Sequence, residues 1–130
     1  MTAQRGLRTA VKRARGLGSA HSGTGHFWWQ RVTAVALALL VPWLLGTLVS
    51  LVGADLATVQ ATIARPYNAV LLALFAVAVF WHAKLGLQVV IEDYIHQRGL
   101  EIALLVANLL FCALGALASL YAIARIALLA

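Results

Sequence analysis

The chain has 130 residues, 63% of them hydrophobic and 11% charged, with a mean hydropathy of +0.92. A soluble domain is about half apolar and a quarter charged, so this composition excludes an ordinary soluble domain and leaves little room beyond membrane spans. Ten Lys and Arg stand against four Asp and Glu, and the excess is local.

Residues 1–25 form a basic N-terminal segment rich in Gly and Ser, expected to be disordered or to lie along the membrane surface. Arg5, Arg8, Lys12, Arg13, Arg15 and Arg31 occur before any acidic residue. Beside a membrane span, such a run marks the cytoplasmic side and attracts anionic lipid headgroups, a reading that takes precedence over nucleic acid. An acid-free, Arg-rich start also fits a mitochondrial transit peptide, which ranks second. No small-residue cleavage site follows a short apolar stretch, so the start does not read as a signal peptide.

The membrane domain, 26–130, opens on His26-Phe27-Trp28-Trp29-Gln30-Arg31. Paired tryptophans next to an arginine read as an interfacial belt. The first span is predicted at about 32–52, near the ~20 residues that cross the hydrocarbon, with a kink at Pro42. The linker from Gly53 to Arg65 has one basic residue, which suits the outer face. Pro66 fits the first turn of the second span, about 66–91. Glu92–Gly99 reads as the next connection, with Gly99 allowing a tight reversal. A third span follows at about 101–128, where Gly115 and Ser119 offer a small-residue packing face. The prediction is an all-α integral membrane protein of three transmembrane helices, N-terminus cytoplasmic and C-terminus periplasmic. The apolar runs are continuous rather than alternating, which excludes a β-barrel. Cys112, the single cysteine, reads as a small core residue with no disulfide or metal-binding spacing around it.

His82 is the informative residue. The fifteen residues from Tyr67 to Trp81 carry no charge, and an ionisable group at such a position usually faces a partner, a cavity or a cofactor. At about 100° per residue, Gly86, Val89 and Asp93 share its helix face, and Lys84 points nearly opposite. Gly86 leaves room for a flat ring to approach the backbone, as a porphyrin ligated by the imidazole requires. A hydrogen bond to a neighbouring helix and a proton relay are the other readings, and the pattern leaves all three open. Tyr94 lies about 18 Å further along the helix axis, where interfacial anchoring is the commoner role. Asp93 beside it could help hold a polar ligand. Arg31 can meet lipid phosphate or a cofactor carboxylate. His21, His26 and His96 fall at or beyond the membrane edge, so a second haem ligand would have to come from another chain.

Two segments, Gly25-His26-Phe27-Trp28-Trp29-Gln30-Arg31-Val32-Thr33-Ala34 and His82-Ala83-Lys84-Leu85-Gly86-Leu87-Gln88-Val89-Val90-Ile91-Glu92-Asp93-Tyr94, resemble the D-type membrane-anchor subunits of succinate dehydrogenase (respiratory complex II), in the alphaproteobacterial style. The resemblance implies that His82 is one axial ligand to the iron of a b-type haem, with the other from a histidine of a second membrane-anchor (cytochrome b) subunit. It implies that Tyr94 binds ubiquinone with Asp93 as its neighbour, and that Arg31 lies near the haem propionates. His26 and Lys84 receive no role. An iron–sulfur subunit and a flavoprotein subunit complete the implied complex, placed in a bacterial inner membrane ahead of a mitochondrial one. The chain would carry no catalytic residue of its own, and one cysteine cannot hold an iron–sulfur cluster. A fumarate reductase anchor is a close variant. A non-redox membrane interaction or assembly protein and a small proton-conducting channel are the alternatives from other classes.

Overall fold

The computed structural model describes residues 23–129, and every regular element among them is helical. These are α1 (Gly23–Ser50), α2 (Leu56–Ala64), α3 (Pro66–Tyr94) and α4 (Arg98–Leu129). Helices α1, α3 and α4 are long and apolar enough to cross a membrane. The basic segment through residue 22, with His21, lies outside the described residues.

The three spans run longer than the sequence predicts. The 28 residues of α1 rise about 42 Å, well beyond the ~30 Å of hydrocarbon. A helix stops where its backbone is capped or turned, and the hydrocarbon boundary supplies neither. Gly23, Thr24 and Gly25, expected in the N-terminal segment, therefore already belong to α1, as does the whole interfacial belt. Glu92, Asp93 and Tyr94, assigned to a connection, form the last turn of α3. The reversal lies at residues 95–97, and Gly99 sits in the first turn of α4.

Pro42 does not interrupt α1. The helix ends instead in a tightened turn, where the Leu51, Val52 and Ala54 amides donate to Leu48, Val49 and Leu51. Gly53 completes it with φ +79°, a conformation that glycine adopts without Cβ strain. The linker contains a helix that sequence reading missed, α2. Asp55 caps it by accepting the Thr58 amide at 2.9 Å, and hydrogen bonds from the Thr58 side chain and then its amide hold the Asp55 carboxyl below its ordinary value of 3.8. Arg65 is extended, as expected before a proline, and Pro66 opens α3. The buried Asn68 amide donates to Thr62 O at 2.8 Å and ties α2 to α3.

Helix α3 is the central element. It packs against α1 on one side and α4 on the other, and among the described residues α1 and α4 do not touch. On the α4 side, the buried Asn108 amide donates to Lys84 O at 2.9 Å, and its own oxygen accepts the Cys112 thiol at 3.5 Å. Cys112 is buried, as expected. Gly115 faces the Phe80 ring so closely that a Cβ there would overlap it. Ser119, expected on the same packing face, spends its hydroxyl on Gly115 O within its own helix.

Candidate functional site

The α1–α3 interface carries a polar ladder within apolar helices. His26, Gln30 and Thr33 recur at four and three residues, which places them on one face of α1. His26 Nε2–H donates to Leu85 O at 3.2 Å. Gln30 Nε2 lies 3.5 Å from His82 Nε2, the long limit for a hydrogen bond. Thr33 Oγ1 lies 2.9 Å from His82 Nδ1 and 2.8 Å from Trp29 O. Above this ladder Trp29 stacks on Trp81, ring centroids 5.0 Å apart.

Beside His82 the two helices border an open cavity of about 460 Å³. Gln30, Arg31 and Ala34 of α1 and His82, Gly86 and Val89 of α3 line it, with His26 and Phe27 at one end. The open space at Gly86 is genuine, since a Cβ there would meet nothing nearer than Gln30 Nε2 at 3.9 Å. Gln30 Oε1 is buried and has no hydrogen-bond partner. A buried carbonyl oxygen of this kind is costly to leave unpaired. The Arg31 guanidinium sits 5.0 Å over the Phe27 ring, which holds its charge at the cavity wall.

The predicted residues divide into two groups. His82, Gly86 and Arg31 meet at one cavity, whereas Asp93 and Tyr94 are exposed at the end of α3 and do not reach it. Tyr94 is 77% exposed. His26, expected at the membrane edge, joins the cavity wall. Thr33 and Gln30 received no role from sequence, although polar residues at helical spacing facing an apolar span signal them. Lys84 lies on the α4 side of α3 and donates to Gln88 Oε1 at 2.8 Å, and Gln88 donates in turn to Glu92 at 2.8 Å. No cluster of three or more His, Cys, Asp or Glu side chains able to hold a metal ion occurs among the described residues.

Residues 5–118 match the family model of the succinate dehydrogenase/fumarate reductase transmembrane subunit. The chain belongs to this family. It is 36% identical to the succinate dehydrogenase hydrophobic membrane anchor subunit of Rickettsia bellii (strain RML369-C), covering 90% of this chain and 94% of the relative. The Paracoccus denitrificans subunit of the same description is also 36% identical, covering 92% of each chain. A succinate dehydrogenase membrane anchor subunit of Reclinomonas americana is 33% identical over 58% of this chain and 65% of its own length. No solved structure matches the chain. Family membership and three long apolar helices together make this a multi-pass membrane protein.

Proposed function

We propose that the chain is a membrane-anchor subunit of a succinate:ubiquinone oxidoreductase and that it supplies one axial histidine to a b-type haem. The observation that carries the haem reading is His82 on the wall of the α1–α3 cavity, with Nδ1 engaged by Thr33 and only a long amide contact at Nε2. The residues fit such a group. Gly86 leaves room for a flat ring, and Arg31 provides a cation for a carboxylate. A haem bound there supplies a reversible one-electron iron couple at low dielectric. His82 Nε2 would hold the iron from this chain, and a partner anchor subunit would supply the other ligand. His26 is engaged at Nε2 by Leu85 O.

Tyr94 and Asp93 belong to a second site at the end of α3. There the Tyr94 hydroxyl donates to a ubiquinone carbonyl, and Asp93, next along the helix end, is a carboxylate that can relay protons to the pocket. Both are exposed in the isolated chain, so partner subunits complete this pocket. The relatives are named for succinate dehydrogenase, which favours succinate oxidation over fumarate reduction. The basic start and the Lys- and Arg-poor linker favour a cytoplasmic N-terminus and a periplasmic C-terminus in a bacterial inner membrane.

The test is affinity purification of the tagged chain from its native membrane in mild detergent. The proposal expects a flavoprotein, an iron–sulfur protein and a second small membrane protein to co-purify with succinate–quinone activity. Purification without them, from a membrane that has that activity, overturns it.

A further inference from the structure

We infer that Thr33 is the positioning residue for His82, fixing the imidazole in its Nδ1–H tautomer so that Nε2 presents a lone pair to the cavity. The inference rests on the haem reading and goes beyond it by naming what prepares the ligand.

Counting protons at Thr33 Oγ1 assigns the tautomer. A threonine hydroxyl has a single proton and two acceptor lone pairs. Thr33 Oγ1 has two nearby carbonyl oxygens, Trp29 O at 2.8 Å and Gln30 O at 3.2 Å, which can only accept. The hydroxyl proton therefore goes to the Trp29 carbonyl, four residues back in the same helix, a common arrangement for threonine inside apolar helices. The remaining contact, 2.9 Å to His82 Nδ1, must then have the ring as donor. Nδ1 carries the proton, and in a neutral imidazole Nε2 carries the lone pair. The Gln30 amide at 3.5 Å is consistent with this polarity, since its N–H groups can only donate. Thr33 is 6% exposed, so water does not compete for the contact.

Two consequences follow for a metal-bound imidazole. A hydrogen bond accepted from the distal ring N–H fixes ring orientation and makes the ligating nitrogen more basic. More basic imidazole stabilises ferric iron and lowers the midpoint potential. The hydroxyl of Thr33 thus tunes the iron without touching it.

The experiment compares Thr33→Val, which keeps the side-chain shape and loses the hydroxyl, with Thr33→Ser, which keeps the hydroxyl. Each is made in the assembled complex and read by redox titration of the haem absorbance and by low-temperature electron paramagnetic resonance. Thr33→Val is expected to raise the haem midpoint potential and shift the low-field resonance, and Thr33→Ser to restore both toward the wild-type values. Thr33→Ala reads the same shift where the valine variant does not assemble. Loss of haem from the hydroxyl-free variants with retention in Thr33→Ser also supports the assignment. Haem-loaded Thr33→Val with unchanged potential and resonance overturns it, and so does an equal shift or equal haem loss in Thr33→Ser. Failure of the underlying haem reading looks different, because the wild-type complex then has no b-type absorbance that depends on His82.

Discussion

Tyr94 shows what a single exposed phenol can be asked to do. If its hydroxyl donates to a quinone carbonyl, Tyr94→Phe removes one hydrogen bond worth about 1 kcal/mol, roughly a fivefold effect on turnover. Succinate–quinone turnover should slow by about that factor, while succinate oxidation by a soluble dye stays at the wild-type rate. Equal rates with quinone would remove Tyr94 from the site. His82, which the structure places on the cavity wall, was legible in the sequence because an ionisable side chain stands out against an apolar helix. Thr33 was not. Threonine satisfies itself by bonding its own helix, so its helical spacing to His26 and Gln30 is the only signal before the imidazole is seen 2.9 Å away. Gln30 was hidden differently, inside a stretch that reads as interfacial belt, and only its helical spacing to His26 and Thr33 links it to the cavity.

At the scale of elements, the α3–α4 contact depends on the absent side chain at Gly115. A Cβ there overlaps Phe80, so Gly115→Val forces the helices apart or the ring out of place. Overpacking of this kind costs about 1–3 kcal/mol. A lower thermal midpoint of the detergent-solubilised complex is the expected result, with partial recovery in the double variant with Phe80→Ala. No recovery in that double variant would separate Gly115 from this contact. The α2 cap responds to acid. Asp55 has a lowered folded-state pKa from its Thr58 hydrogen bonds. Its contribution is fully present above the ordinary value of 3.8 and is lost as pH falls through the lower folded value. The Thr58 amide resonance should shift over that acid range in the wild type and stay flat in Asp55→Ala. Helix α2 escaped the sequence because nine residues with one cap are too few to cross the hydrocarbon or show a clear helical period, whereas the three spans were legible from length and continuity of apolar residues. Their ends were not, because helices continue past the hydrocarbon until a turn such as that at Gly53 stops them.

The whole molecule is a row of three long helices with α3 in the middle, and most of its large apolar side chains are exposed, including Leu39, Phe111 and Tyr121. Such a surface suits lipid and neighbouring subunits, and explains why the cavity is walled by this chain on two helices only. On the proposed haem reading, the shortage of histidines within the spans leaves the second ligand to another chain. His82 faces open space, and His26, on the same wall, is already engaged at Nε2 by Leu85 O. Orientation is testable separately, since single cysteines introduced at Ala57 and Gln97 in a Cys112→Ser background should label from opposite sides of the membrane, Ala57 from outside. The central claim is the ligand role of His82, and the most direct measurement is the reduced-minus-oxidised absorbance spectrum of the purified complex with and without His82→Ala. A b-type haem spectrum is expected in the wild type and is lost or strongly altered in the variant, with the subunits still associated. A haem spectrum unchanged in His82→Ala, or a fully assembled wild-type complex with no haem, would contradict it.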